Sequence, residues 1–339
     1  MDLTLRVEKR YLNRLAAVND LAGKLWSDIG DPPPNPNSLE FLDVISKPLL
    51  DIQRYGTTVG WLLDLAKSIF GKEIPTGQYG ELWIDPGNGQ GFQKPTIETN
   101  LDATVYLYRP QPQTGPFIIA GRRGFSLSRY WAGPQPVLKQ SGQRNQAYFA
   151  NRVKAREADH CVISNVDDSL VASHLIPNRL PHGAILMILQ RHSPQGTILP
   201  TTGWGYSLAG VENANNDERI AILVFALLDT MIDNFTLGFY CPDPANNPNT
   251  YTLHSFGDAN ADYNVLGIKN AVYGNIPGAG NHRLADLHGH QVTFRDLTRT
   301  QGLVQVTYQR PLHAALSWHY MQCALRKLAT QAYKGLPVW

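Results

Sequence analysis

The apolar residues of this chain fall into short segments separated by turn residues, and no run approaches 18 consecutive apolar residues. A helix needs about 20 such residues to cross a bilayer, so the sequence predicts no membrane partner. The hydrophobic fraction of 43% is too high, and the net charge of +2 too low, for a disordered chain. The 339 residues are therefore expected to fold, with a length typical of about two domains.

The first 70 residues are predicted to be helical. Leucines recur at helix-like intervals over 2–29, and similar patterns cover 39–54 and 57–71. From residue 72 the composition shifts towards Gly, Pro, Gln, Tyr and Arg, with strand-like segments at 103–108 and 117–120. The first part of the chain is therefore predicted to be a helical region followed by a β-rich middle.

The second half alternates strand and helix patterns more closely. Apolar residues over Asp217–Asp233 and from about 312 to 333 have the spacing of helices. Together these segments predict the α+β class, with a first domain over 1–150 and a second over 151–339. The predicted strands of this half are 161–164, 170–176, 235–240, 250–256 and 303–308.

Residues 121–156 contain basic side chains and no Asp or Glu. Such a segment is suited to phosphate contacts with nucleic acid, but it also fits a solvated face or an anionic small molecule. The basic residues are Arg122, Arg123, Arg129, Lys139, Arg144, Arg152, Lys154 and Arg156.

The cysteines and histidines give weaker indications. Cys161, Cys241 and Cys323 are too few for a disulfide framework, so an intracellular, cytoplasmic location is expected. The first 30 residues carry acidic side chains and lack the continuous apolar core of a signal peptide. A loop with His282, Asp286, His288 and His290 lacks the defined spacing of a zinc site, so no metal or other cofactor is predicted.

Four separated segments carry a family resemblance. Arg152–Ser164, followed by Ala172-Ser-His-Leu-Ile-Pro177, resembles the fungal branch of the HNH endonuclease family. The segments Asp217–Val224 with Leu228–Phe239, and Leu316–Leu325, are similar to later motifs of that family in the same order. The resemblance covers about residues 150–330 and is specific as a set.

The resemblance implies a ββα-metal unit. In the family a strand histidine deprotonates a water, and a divalent cation stabilises the leaving oxygen of a phosphodiester. An asparagine fixes the loop that presents this base. Base catalysis contributes about 10²–10⁴-fold, and the metal supplies several kcal/mol of charge stabilisation.

This chain keeps only part of that set. His174 stands at the position of the general base, whereas Ile220 replaces the asparagine and Asp229 replaces the helix histidine. An isoleucine side chain cannot make the hydrogen bonds of an asparagine. Asp229 could still bind Mg²⁺ or Mn²⁺. The neighbouring Arg219, Leu223, Leu228 and Asp233 agree with the family pattern, which indicates that the helix is retained as a scaffold.

Three functions follow as alternatives. The first is a degenerate nuclease fold recruited to small-molecule chemistry in fungal biosynthesis, with a cofactor-independent cyclisation, isomerisation or pericyclic step in an apolar pocket. Its catalytic residues are expected to be His174, Asp229 and Arg219, with Ile220 and Asp233 at the substrate. The second is a nuclease that uses a divalent cation, and the third is a non-catalytic module that binds nucleic acid or protein.

Overall fold

The structure, a computed structural model, describes most of the chain in separate stretches. The contacts between residues divide the chain into two compact units. Unit 1 contains Met1–Leu127, Gln195–Ile198 and Ala324–Trp339, and unit 2 contains Ser128–Pro194 and Leu199–Cys323. The end of the chain thus belongs to unit 1, which a division of the sequence into two consecutive domains does not anticipate. The described residues are 1–8, 41–70, 79–84, 91–109, 142–177, 185, 188–189, 192, 217–257, 287–301 and 304–335.

Both units combine helices with sheets, so the predicted α+β class is confirmed. Within the described residues, no helix is long and apolar enough to cross a membrane. The elements described up to residue 109 are β1 (Asp2–Glu8), β2 (Phe41–Pro48), α1 (Leu49–Gln53), α2 (Val59–Phe70), β3 (Glu81–Ile84) and β4 (Val105–Arg109).

Unit 1 is built on a four-stranded sheet in the order β2-β1-β4-β3. Strand β1 is antiparallel to β2 and parallel to β4, while β3 is antiparallel to β4. The alternation of a strand sends Leu3, Leu5 and Val7 to one face, and all three are fully buried. Helix α2 contacts the sheet at its last residue, where the ring of Phe70 stacks on Tyr108 with 4.4 Å between centroids.

The helix predicted over 2–29 is wrong at its start, because residues 2–8 form β1. Strand β1 pairs with β2 over Asp2–Glu8 and with β4 over Thr4–Val7, and both partners lie far away in the sequence. Most of the helix predicted over 39–54 is also wrong, since 41–48 form β2 and only α1 is helical. Helix α2 confirms the prediction for 57–71, and β4 confirms that for 103–108. The remainder of 2–29 and the strand at 117–120 lie outside the described residues.

From residue 142 onwards the described elements alternate more rapidly. They are α3 (Gly142–Arg156), β5 (Leu170–His174), a 3₁₀ turn (Glu218–Ile220), β6 (Ala221–Phe225), α4 (Ala226–Asp233), β7 (Leu237–Tyr240), β8 (Thr250–Ser255), β9 (Gln291–Thr293), β10 (Leu297–Gln301), β11 (Val304–Tyr308), α5 (His313–Leu328) and α6 (Gln331–Gly335).

Strands β5 and β6 pair in antiparallel fashion, and α4 follows β6 directly; we call β5, β6 and α4 the hairpin–helix unit. One face of its sheet packs on α3, where Phe149 and Val153 contact Ala221 and Leu223. Ile222 and Val224 of β6 lie on the opposite face and are also fully buried. Helix α4 packs against β5. Strand β6 is therefore an interior element, whereas most of β5 is half-buried.

The single helix predicted over Asp217–Asp233 is wrong in its first half. Residues 221–225 are Ala, Ile, Leu, Val and Phe, which suit a strand buried on both faces, and a continuous apolar run does not distinguish that strand from a helix. The strand predicted at 161–164 is a turn, although Val162 N still donates to the carbonyl of Leu223 at 3.0 Å. Strand β5 confirms the prediction for 170–176.

The other described strands of unit 2 form a three-stranded sheet in the order β7-β8-β9 and a two-stranded sheet of β10 and β11. Strands β7, β8 and β11 confirm the predicted strands, and α5 with α6 confirms the terminal helix as two segments. In α5, the Nε2 of fully buried His319 donates to the carbonyl of Ile232 at 3.1 Å. This bond joins α5 to the last turn of α4, so it helps to hold the hairpin–helix unit in place.

Candidate functional site

His174 is the last residue of β5 and lies opposite Ala221 in the hairpin. Its side chain is half-buried, and its ring stacks on Phe149 of α3 with 4.4 Å between centroids and 14° between ring planes. This parallel contact fixes the plane of the imidazole on the face of the hairpin that α3 covers. His174 is thus a partly accessible imidazole with a defined ring orientation.

Arg219 is buried in the 3₁₀ turn and binds within the protein. Its Nε donates to Asp217 Oδ1 at 2.9 Å, and its Nη2 donates to Asp217 Oδ2 at 2.6 Å. Its Nη1 donates to Gln309 Oε1 at 3.2 Å. A forked arginine–carboxylate pair of this type is geometrically specific. These contacts support a structural role for Arg219, and its predicted catalytic role is not tested by them.

Ile220, predicted at the substrate, has no exposed surface. Its carbonyl accepts from Leu175 N at 2.9 Å, directly after the strand that carries His174. The position at which the resemblance implies an asparagine therefore holds an apolar core residue. Here the chain extends β5 through a main-chain bond, and no side-chain hydrogen bond can form.

Asp229 and Asp233 both belong to α4. Asp229 is half-buried in the first turn, and Asp233 is exposed at the last residue of the helix. A carboxylate in the first turn interacts favourably with the helix dipole, which accounts for Asp229 without a ligand. The structure places His174, Arg219, Ile220 and both aspartates on the hairpin–helix unit or its adjoining turn.

Two arginines of the basic segment 121–156 bind their own protein. Arg156 is buried and donates from Nη1 to the Glu218 carbonyl at 2.6 Å and from Nη2 to the Ala221 carbonyl at 2.7 Å. Arg152 forms an ion pair with Glu218 at 2.5 Å. Their charges thus hold α3 against the turn that precedes β6. Residues 121–141 of the segment lie outside the described residues.

A second group of polar and aromatic rings lies between β7, β8 and α5. His254 Nδ1 is 2.8 Å from Tyr320 Oη, and the His254 ring stacks on His288 with 5.0 Å between centroids. Tyr240 stacks on the His254 ring at 5.6 Å. The backbone N–H of Ser255 donates to His288 Nδ1 at 3.2 Å. A neutral His288 with this bond carries its proton on Nε2.

The sequence did not single out His254 or Tyr320 because they come from different elements far apart in the chain. Burial, and then the neighbouring His288, lower the pKa of His254 to about 3. The stacked His288 contributes because two imidazolium cations at this distance would repel each other. His254 is therefore a neutral hydrogen-bonding partner of Tyr320 in aromatic surroundings.

The described residues contain no group of three or more His, Cys, Asp or Glu side chains that could hold a metal ion. The loop that suggested a metal cluster is only partly described, since His282 and Asp286 lie outside the described residues. Of its other two histidines, His288 packs in the ring group, and His290 accepts at its carbonyl from Leu253 N at 2.8 Å.

The structure defines an α+β protein of two units, one of which contains a β-hairpin followed directly by a helix. No family model, no curated protein and no solved structure matches this chain.

Proposed function

We propose that unit 2 keeps a nuclease-like hairpin–helix unit as a scaffold but no longer cleaves phosphodiesters, and that it acts on a small organic molecule. His174 is the group that donates or accepts the proton in this reaction. The proposal includes the resemblance to HNH endonucleases. Strands β5 and β6 and helix α4 follow the ββα order that this resemblance implies.

The complete burial of Ile220 carries this proposal. A ββα nuclease needs a polar side chain there to hold the loop of its general base, and an isoleucine in the core supplies none. The helix histidine that the resemblance implies as a metal ligand is also replaced, by Asp229. The hairpin–helix unit therefore lacks two of the polar side chains that the resemblance implies for phosphodiester chemistry.

A small-molecule reaction does not require a polar side chain at position 220. A histidine held at a fixed angle on an aromatic ring can transfer a proton in an isomerisation or cyclisation, and an apolar substrate can pack beside the same ring. Such a step requires no redox cofactor. Asp229, in the first turn of α4, is the second candidate for proton transfer.

The loss of nuclease chemistry predicts a negative result in a plasmid assay. We expect the purified full-length protein not to nick supercoiled DNA in Mg²⁺, Mn²⁺ or Zn²⁺ above the level of His174→Phe. This variant keeps an aromatic ring on Phe149 but removes the titratable nitrogens. Metal-dependent nicking that disappears in His174→Phe and persists in His160→Phe would establish the nuclease alternative; His160 is an exposed histidine on a nearby turn.

A role in small-molecule chemistry predicts a change in metabolites of the native host. After deletion of the gene, we expect a product to disappear and its precursor to accumulate, and the His174→Phe gene to leave product formation reduced about 10²-fold or more. The His160→Phe gene is expected to restore the product. Restoration by His174→Phe to the wild-type level would contradict the role of His174, and an unchanged profile on deletion would contradict small-molecule chemistry itself.

A further inference from the structure

Unit 1 contains a cleft of about 360 Å³ between α2, β3 and the segment 94–97. This volume lies within the range of ligand pockets, about 300–1,000 Å³. The cleft belongs to unit 1 alone and uses none of the residues assigned to the proposed function. Its wall is formed by Val59, Leu63, Lys67, Tyr79, Gly80, Glu81, Leu82, Lys94, Pro95 and Ile97.

The charged side chains of the lining are Lys67, Lys94 and Glu81. Asp64, beside the lining, pairs with Lys67, so the two lysines face two carboxylates. Lys94 Nζ is 2.7 Å from Glu81 Oε1, so these two groups largely neutralise each other. The pair of Lys67 with Asp64 is longer, at 3.8 Å, so Lys67 is the lysine that is more available to a bound anion.

Lys67 is suited to bind an anionic group of a ligand. Its Nζ is 3.8 Å from a carboxylate oxygen of Asp64, and both side chains are at least one-third exposed. A long surface pair of this type contributes little free energy, so a ligand carboxylate can replace it at small cost. The same Nζ lies 5.9 Å from the ring centroid of Tyr79. Burial raises the pKa of Tyr79 to about 12, so its hydroxyl remains a neutral hydrogen-bond donor at pH 7.

The rest of the lining is apolar. Leu63 is half-buried, Leu82 is buried, and the side chain of Ile97 is 55% exposed despite its size. The position of Ile97 is held by its carbonyl, which accepts from Gly60 N at 2.8 Å. An exposed isoleucine beside a cleft offers apolar surface that a ligand can cover.

We propose that this cleft binds a small organic monocarboxylate, with its carboxylate at Lys67 and its apolar body against Leu63, Leu82 and Ile97. The site is independent of the chemistry at His174. The weakly paired Lys67 selects one anionic group, and the apolar walls select an alkyl or aryl body.

Octanoate is a suitable probe, and a ligand-observed NMR titration of the full-length protein measures its binding. Saturable binding is expected at about millimolar concentration, as for a ligand of this size. Octylammonium has the same chain with the opposite charge and is expected to bind much more weakly. Failure of octanoate to bind, or equal binding of octylammonium, would overturn the proposal.

Substitutions identify the site. Lys67→Met removes the charge but keeps the length of the side chain, and should weaken octanoate about tenfold to a hundredfold while leaving 1-octanol unaffected. Glu81→Gln releases Lys94 and should strengthen octanoate up to about fivefold. Lys47→Met, on the opposite edge strand of the sheet, is the matched control and should have no effect.

Unchanged octanoate affinity in Lys67→Met, or weaker binding in Glu81→Gln, would refute the assignment. His174→Phe is expected to bind octanoate like the wild type. This last variant separates the two proposals. If His174→Phe loses product formation but still binds octanoate, the loss concerns the chemistry at His174 in unit 2 and not the cleft in unit 1.

Discussion

The free energy of unfolding is expected to fall steeply as the pH drops below about 6.5, the ordinary pKa of histidine. Burial lowers the pKa of His319 to about 4. Burial and then Arg310 lower the pKa of His313 to about 4, and burial and then His288 lower that of His254 to about 3. All three side chains belong to unit 2.

The sign follows from which state binds protons first. A histidine with a lowered pKa in the folded state is protonated first in the unfolded chain. Its contribution is therefore complete above about pH 6.5 and is lost as the pH falls towards the folded pKa. Each histidine contributes up to about 1.4 kcal/mol per pH unit in this interval, so three give up to about 4 kcal/mol per unit.

The surroundings of the three rings explain why protonation is unfavourable. His319 has no exposed surface, and His254 is stacked on another imidazole. His313 Nδ1 is 3.0 Å from Tyr251 Oη, but this side chain keeps some exposed surface, so we expect its share to be the smallest. Glu157 acts in the opposite direction, because burial raises the pKa of its carboxyl.

Urea unfolding at pH 7, 6 and 5 measures this dependence. His319→Gln keeps an N–H donor and removes one titration, so the slope of the unfolding free energy against pH should decrease by about 1.4 kcal/mol per unit. The exposed His160 provides the control, and His160→Gln should leave the slope unchanged. Equal stability at pH 7 and pH 5 would contradict the prediction.

Replacement of Arg156 by methionine is expected to destabilise unit 2 by about 3–5 kcal/mol, as for the loss of one partner of a buried charged network. The guanidinium is fully buried and donates to the carbonyls of Glu218 and Ala221. Methionine fills similar space but donates no hydrogen bond. Both carbonyls and the nearby Glu157 carboxylate, 2.7 Å from Arg156 Nη2, would lose this partner.

Chemical denaturation at pH 7 tests this effect, with Lys154→Met as the matched control on the same helix. Lys154 is half-buried, and its replacement should change the free energy of unfolding by no more than about 0.5 kcal/mol. A loss of less than about 1 kcal/mol in Arg156→Met would show that the guanidinium is not a structural centre of this unit.

Parts of the candidate site were predictable from local sequence. An apolar alternation that ends before Pro177 predicted the strand that carries His174, and β5 confirms it. The sequence also placed Ile220 and Asp229 in the motif that follows this strand, but it did not predict how deeply each side chain is buried. The resemblance to HNH endonucleases remains a prediction.

Other parts depended on partners far along the chain. Arg152 and Arg156 belong to an acid-free basic segment, and only the folded chain brings Glu218 and two backbone carbonyls to them. A charge pattern records how many basic side chains are present but does not show which of them are neutralised internally. The ring group at His254 was missed because its members come from β8, α5 and the residues before β9.

The sequence by itself determined that the chain folds, that it belongs to the α+β class, and that α2, β5, β7, β8, β11 and α5 form. Their periodicity and turn residues are local, so nearby residues suffice to predict them. Tertiary structure decided that residues 2–8 are a strand and that 217–233 are divided into a turn, a strand and a helix. In both cases tertiary packing outweighed local helical spacing, because pairing with distant strands buries Leu3, Leu5 and Val7 of β1 and every residue of β6, and such burial exceeds the small differences in helix propensity.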